Sequence, residues 1–97
     1  MELKFSAPKD LESKILEHLK IQGLICTDIG LKDNPNAAHH HIRNITNDPG
    51  ILELTVLPTE GSDSADFILE MREDRMADWG SETVTALAKK FEIGVTA

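Results

Sequence analysis

Residues 51–57 (ILELTVL) and 65–71 (ADFILEM) decide the fold, because apolar side chains recur at every second position along both segments. In the first segment, Leu52 and Leu54 point to one side of a strand and the polar residues between them point to the other. A period of two is typical of a strand that buries one face. The connection, residues 58–64, is polar, so the two strands are predicted to be antiparallel neighbours.

Two segments further upstream also predict strands. Residues 24–29 (LICTDI) are rich in β-branched side chains, and residues 39–45 lie between two loops. The stretch 47–50 (NDPG) places Pro next to Gly, as a type II turn requires, and predicts a hairpin into residues 51–57. Four consecutive strands favour an antiparallel meander, to which residues 3–5 would add a fifth strand at an edge.

Amphipathic helices are predicted on both sides of this meander. The first covers residues 8–22, with Pro8 in its first turn and Gly23 as the residue that ends it. The second follows the last strand, where apolar residues recur at i, i+3, i+4 and i+7 from Val84. Each helix has one apolar face, which predicts that both pack on one face of the sheet. The predicted fold class is therefore α+β, a two-layer sandwich in a single domain over residues 1–97.

This packing leaves the other face of the sheet open to solvent or to a partner. The alternation along residues 39–45 places His39, His41 and Arg43 on that face and His40 on the buried one. Arginine offers a planar pair of donors and histidine titrates near neutral pH, so an anion or polar small molecule is a suitable ligand. The predicted ligand-binding residues are His41, Arg43, Glu53, Glu70, Arg72 and Arg75.

The triplet His39-His40-His41 also raises the question of a metal site. On a strand, His39 and His41 share a face at a spacing of roughly 6–7 Å and could supply two ligands. A zinc site needs at least one more ligand, such as Glu53, and the sequence does not define it. The simpler interpretation pairs the outer imidazoles with carboxylates and buries the third imidazole in a hydrogen bond. The sequence therefore predicts no metal and no cofactor.

Composition excludes several classes of function for this chain of 97 residues. The 17 Asp and Glu against 10 Lys and Arg give a net charge of −7, which argues against nucleic acid or an anionic membrane as a direct partner. The one cysteine, Cys26, forms no internal disulfide. Because no apolar run suits a signal peptide or a membrane span, we expect a cytoplasmic protein without a membrane partner.

Three functions are compatible with these observations. The first is a protein-interaction module that binds a protein partner or forms a homodimer through its sheet. The second is a protein that binds a small ligand or anion on the open face. The third is an acidic inhibitor of a nucleic-acid-binding protein, because residues 60–97 hold 9 acidic and 4 basic residues. No catalytic triad order, glycine-rich phosphate loop or Gly-x-Ser-x-Gly elbow is present, so the sequence favours a non-enzymatic role.

Overall fold

The structure is a computed structural model that describes residues 2–30, 36–44, 51–71 and 78–91. The strands of these ranges form an antiparallel sheet in the order β1-β5-β4-β3-β2. The protein therefore has the predicted small α+β fold with an antiparallel sheet and two helices. Its elements are β1 (Glu2–Pro8), α1 (Leu11–Ile21), β2 (Leu24–Asp28), β3 (Ala38–Asn44), β4 (Leu52–Pro58), β5 (Ser64–Met71) and α2 (Asp78–Lys90).

Strand β1 is the fifth strand, and it is longer than the three residues predicted. It pairs with β5, while β2 pairs with β3 at the other edge, so α1 connects strands at opposite edges of the sheet. The predicted start of α1 at Pro8 is wrong. Pro8 lies opposite Ser64 at the end of β1, and the pairing continues where the Lys9 N–H donates to the Asp63 carbonyl at 2.8 Å. Proline tolerates an edge strand as well as the first turn of a helix, because both positions can do without an N–H donor.

The predicted end of α1 at Gly23 is confirmed. Gly23 has a φ of +87°, a left-handed conformation that favours glycine, and its N–H donates to the Lys20 carbonyl at 3.0 Å. Strands β4 and β5 are joined through a short turn that contains Gly61, with a φ of +74°. The predicted turn at residues 47–50 lies outside the described residues. No helix in the described ranges has the length and apolar character needed to cross a membrane.

The hydrophobic core forms on the sheet face that carries the alternating apolar residues of β4 and β5. Phe67 is fully buried there and stacks on Phe5 of β1, with ring centroids 5.1 Å apart. Residues of both helices belong to the same cluster of buried side chains. The members of this cluster are Leu3, Ile15, Leu19, Ile42, Leu52, Leu54, Val56, Ala65, Phe67, Leu69, Met71, Val84, Leu87 and Ala88. We call this side of the sheet the core face and the opposite side the outer face.

Candidate metal centre

The histidine triplet lies on β3, where alternation divides it between the two faces of the sheet. His40 is 6% exposed and shares the core face with the fully buried Ile42. His39, His41 and Arg43 therefore occupy the outer face, as the sequence predicts. Strand β3 pairs with β4 in a register that places Thr55 opposite His39 and Glu53 opposite His41.

Both outer histidines point their Nε2 atoms at one carboxylate oxygen. Oε1 of Glu53 lies 3.1 Å from Nε2 of His41 and 3.6 Å from Nε2 of His39. A ligand atom from each of the three side chains can be chosen so that all lie within 4.8 Å of one another. Two donors bound tetrahedrally to one zinc ion are expected to be about 3.4 Å apart, given the usual ligand distances. The two Nε2–Oε1 distances lie on either side of that value, so each is compatible with two donors on one ion.

Thr55 holds the imidazole of His39 in the orientation that such a site needs. Its Oγ1 atom lies 2.9 Å from Nδ1 of His39, on the side of the ring away from the shared carboxylate. When Nε2 binds a metal ion, Nδ1 carries the hydrogen atom, and this N–H donates a hydrogen bond to the hydroxyl oxygen of Thr55. Metal-binding histidines almost always have such a partner on their second ring nitrogen.

The three candidate ligands are shielded from water despite their position on the outer face. Their side chains are 17% exposed for His39, 19% for His41 and 13% for Glu53. Electrostatic interactions gain strength where water is displaced, and a partly desolvated carboxylate favours a nearby cation. One oxygen of this carboxylate lies within 4 Å of both imidazole Nε2 atoms, at 3.1 and 3.6 Å.

A row of acidic residues across three strands also favours a cation. Glu53 of β4 lies directly opposite Glu70 of β5, which in turn lies opposite Glu2 of β1. Like charges at directly opposed positions destabilise strand pairing. Lys4 compensates at the far end of the row, where its Nζ atom lies 3.4 Å from Glu2.

His40 has a separate, structural environment. Its Nε2 atom lies 2.6 Å from Oε2 of Glu12 on α1, on the core face of the sheet. The sequence-based interpretation that one imidazole of the triplet is buried and hydrogen-bonded is thus confirmed for His40. The triplet combines one buried imidazole with two that are directed at the outer face.

The structure brings some of the predicted ligand-binding residues together. His41, Glu53 and Glu70 occupy one row across β3, β4 and β5. Arg43 lies on the same face of β3, is exposed, and is paired with Ile25 of β2. The predicted residues Arg72 and Arg75 lie outside the described residues.

Two residues of the cluster, His39 and Thr55, are absent from the predicted ligand-binding set. The same alternation that selects His41 and Glu53 also places His39 and Thr55 on the outer face, so this signal was present in the sequence. No family model, curated protein or solved structure matches the chain.

Proposed function

We propose that this protein is a metal-binding domain that holds a zinc ion through His39, His41 and Glu53. The observation that carries the proposal is the convergence of both Nε2 atoms on one oxygen of Glu53, at 3.1 and 3.6 Å. Two imidazole nitrogens and one carboxylate oxygen form a donor set that suits Zn²⁺, whereas Ca²⁺ and Mg²⁺ prefer oxygen ligands alone. The hydrogen bond between Thr55 and His39 supports the same assignment.

The proposal includes a two-layer arrangement in which both helices cover the core face. Ile15 and Leu19 of α1 and Leu87 of α2 are fully buried and belong to one cluster with the inward residues of the sheet, which supports this arrangement. The outer face then stays accessible to a metal ion from solvent. The ligands themselves lie on two adjacent strands, which are more rigid supports than loops.

Calorimetric titration of untagged, chelator-treated protein with Zn²⁺ tests this function. We expect one ion per chain, and an affinity that falls by more than about tenfold in His41→Ala and in Glu53→Gln. Glu53→Gln retains the shape of the side chain and removes the charge that the ion needs. Thr55→Val should weaken binding by about tenfold, because it removes the hydrogen bond that orients His39.

The matched control for these variants is His18→Gln. His18 lies on α1 with its ring 6.1 Å from that of Phe91, away from the outer face, so this variant should bind zinc as the original chain does. Circular dichroism of each variant establishes that the fold is retained. Zinc binding that is unchanged in both His41→Ala and Glu53→Gln, or no binding by the original chain, contradicts the proposal.

A second candidate function is self-association, which three exposed isoleucines favour. Ile21, Ile25 and Ile29 are 78%, 48% and 55% exposed, and they lie at or beside β2, one edge of the sheet. Strand β2 has no lysine or proline, residues that commonly protect an edge from pairing with another chain. The partner that we propose is a second copy, which would add its own β2 in antiparallel orientation and extend the sheet.

Sedimentation at increasing protein concentration tests self-association. We expect a dimer for the original chain and a monomer for Ile25→Lys, because a lysine on the edge strand opposes pairing of the two copies. Thr85→Lys adds the same charge on the exposed surface of α2 and should stay dimeric. A monomer at the highest concentration of the original chain contradicts this candidate function.

A further inference from the structure

A tetrahedral zinc ion bound by His39, His41 and Glu53 has one coordination position left. All three side chains extend from the outer face of the sheet, so a fourth ligand would approach the ion from that face. Sites with three protein ligands commonly hold a water molecule or an exogenous ligand there. We propose that this position binds a small carboxylate, and that Arg43 provides a second contact to the same ligand. This inference rests on the proposed zinc site.

Arg43 is the next residue after His41 on the outer face of β3. Residues two apart on a strand are separated by about 6–7 Å, which a guanidinium on an extended side chain can span. Arg43 is exposed and is paired in register with Ile25, at the edge of the sheet. Its planar donors match the two oxygens of a carboxylate, and one of these oxygens can bind the ion.

The charges around the ion favour an anion as the fourth ligand. The zinc ion and Glu53 together carry a net positive charge, and Arg43 adds another. Glu70, directly opposite Glu53, opposes the anion but does not cancel both contributions. Further along the row, the charge of Glu2 is compensated by Lys4, 3.4 Å away. A carboxylate that replaces a water molecule on the ion would therefore lower the net positive charge of the site.

Apolar side chains beside the site indicate a carboxylate with a short hydrocarbon chain. The Ile29 N–H donates to the His39 carbonyl at 2.8 Å, and its side chain, 55% exposed, continues the alternation of β2 onto the outer face. On the other side, Ile68 lies opposite Thr55 and is half-buried. A chain of a few methylene groups that extends from the ion over this row would be removed from water.

Cobalt substitution tests this inference in the full chain. Co²⁺ occupies zinc sites and has visible absorption bands that respond to a change of ligand. We expect the bands of the cobalt-loaded protein to change on titration with acetate and with hexanoate. Hexanoate should saturate at a lower concentration, by up to about fourfold for each methylene group that is buried.

Three variants test which side chains interact with the bound carboxylate. Arg43→Ala should weaken carboxylate binding by about tenfold without weakening the binding of Co²⁺, because Arg43 is not a metal ligand and its positive charge opposes the ion. Lys14→Ala, on α1, removes one positive charge at an exposed position and should leave both affinities unchanged. Glu70→Gln should strengthen carboxylate binding severalfold, because it removes a negative charge directly opposite Glu53.

The outcomes separate the two proposals. If Co²⁺ produces no protein-dependent bands, the metal site itself is overturned. If the bands form and neither carboxylate alters them, the metal site stands and the carboxylate inference is overturned. If the bands change equally in Arg43→Ala and in the original chain, the role assigned to Arg43 is overturned.

Discussion

His40 of β3 and Glu12 of α1 form a direct contact of 2.6 Å between Nε2 and a carboxylate oxygen, although 28 residues separate them in the chain. The imidazole side chain is 7% exposed and the carboxylate side chain is 29% exposed, so the contact is largely removed from water. A buried imidazole requires a hydrogen-bond partner, because an unsatisfied polar group in the interior costs free energy. The contact therefore links the first turn of α1 to the core face of the sheet.

Removal of this carboxylate should destabilise the fold. We expect Glu12→Ala to lower the free energy of unfolding by about 1–2 kcal/mol, because hydrogen bonds that involve charged groups contribute more than neutral ones. Glu17→Ala is a matched control on the exposed side of the same helix and should change it by less than about 0.5 kcal/mol. Urea denaturation measures both. Equal midpoints for the two variants would show that the contact does not contribute to stability.

Substitutions on the two faces of β4 should lower the free energy of unfolding by different amounts. Leu54 is fully buried on the core face, and Leu57, three residues later, is half-buried on the outer face. We expect Leu54→Ala to cost about 3 kcal/mol, because it leaves a cavity in a packed core. Leu57→Ala should cost about 1 kcal/mol, since much less apolar surface returns to water. Thermal unfolding measures the difference, and similar costs for the two variants would contradict the assignment of the faces.

Local patterns were sufficient to predict most of the fold. Alternation along β4 separates Leu52 and Leu54 from Glu53, and the structure places them on opposite faces as predicted. Gly23 ends α1 because few other residues tolerate its left-handed conformation. The sequence pattern places Pro8 in the wrong element, because proline suits both the end of an edge strand and the start of a helix. Its pairing with Ser64 is a long-range contact, which local pattern does not encode.

The candidate site could be predicted only in part. Alternation places His41 and Glu53 on the same face, but it does not determine which residues of β3 and β4 lie opposite each other. A register shift of two residues would keep both side chains on the outer face and separate them by roughly 7 Å along the strands. The observed register places Glu53 directly opposite His41 and within reach of His39. Glu53 can therefore act as the third ligand only in this register, and the register depends on pairing across the whole sheet.

The thiol of Cys26 predicts a loss of stability at alkaline pH. Burial raises the pKa of the Cys26 thiol, and the positive charge of Lys20 partly opposes this shift. The folded state therefore favours the neutral thiol. Its stabilising contribution is complete below the pKa of the unfolded chain, about 8.5, and is lost as the pH rises through the higher pKa of the folded state.

Comparison with Cys26→Ala isolates this effect from the titration of the lysines. We expect the midpoint of urea denaturation to fall more steeply above about pH 8.5 for the original chain than for the variant. The thiol should also react slowly with iodoacetamide at neutral pH, because the thiolate is the reactive form. Parallel pH profiles for the two proteins would show that the environment of the thiol does not differ between the folded and unfolded states.

Zinc should stabilise the folded protein to a degree that its affinity determines. The ligands come from two strands and converge only when β3 and β4 pair, so the unfolded chain has no equivalent site. An ion at a free concentration of 100 times its dissociation constant then adds about 2.7 kcal/mol to the free energy of unfolding. For a domain of this size, that gain corresponds to an increase of roughly 10–20 °C in the melting temperature. Excess chelator should reverse the increase, and Glu53→Gln should show little of it while His18→Gln shows all of it. An equal increase in Glu53→Gln and in the original chain would place the stabilising ion elsewhere on this acidic protein.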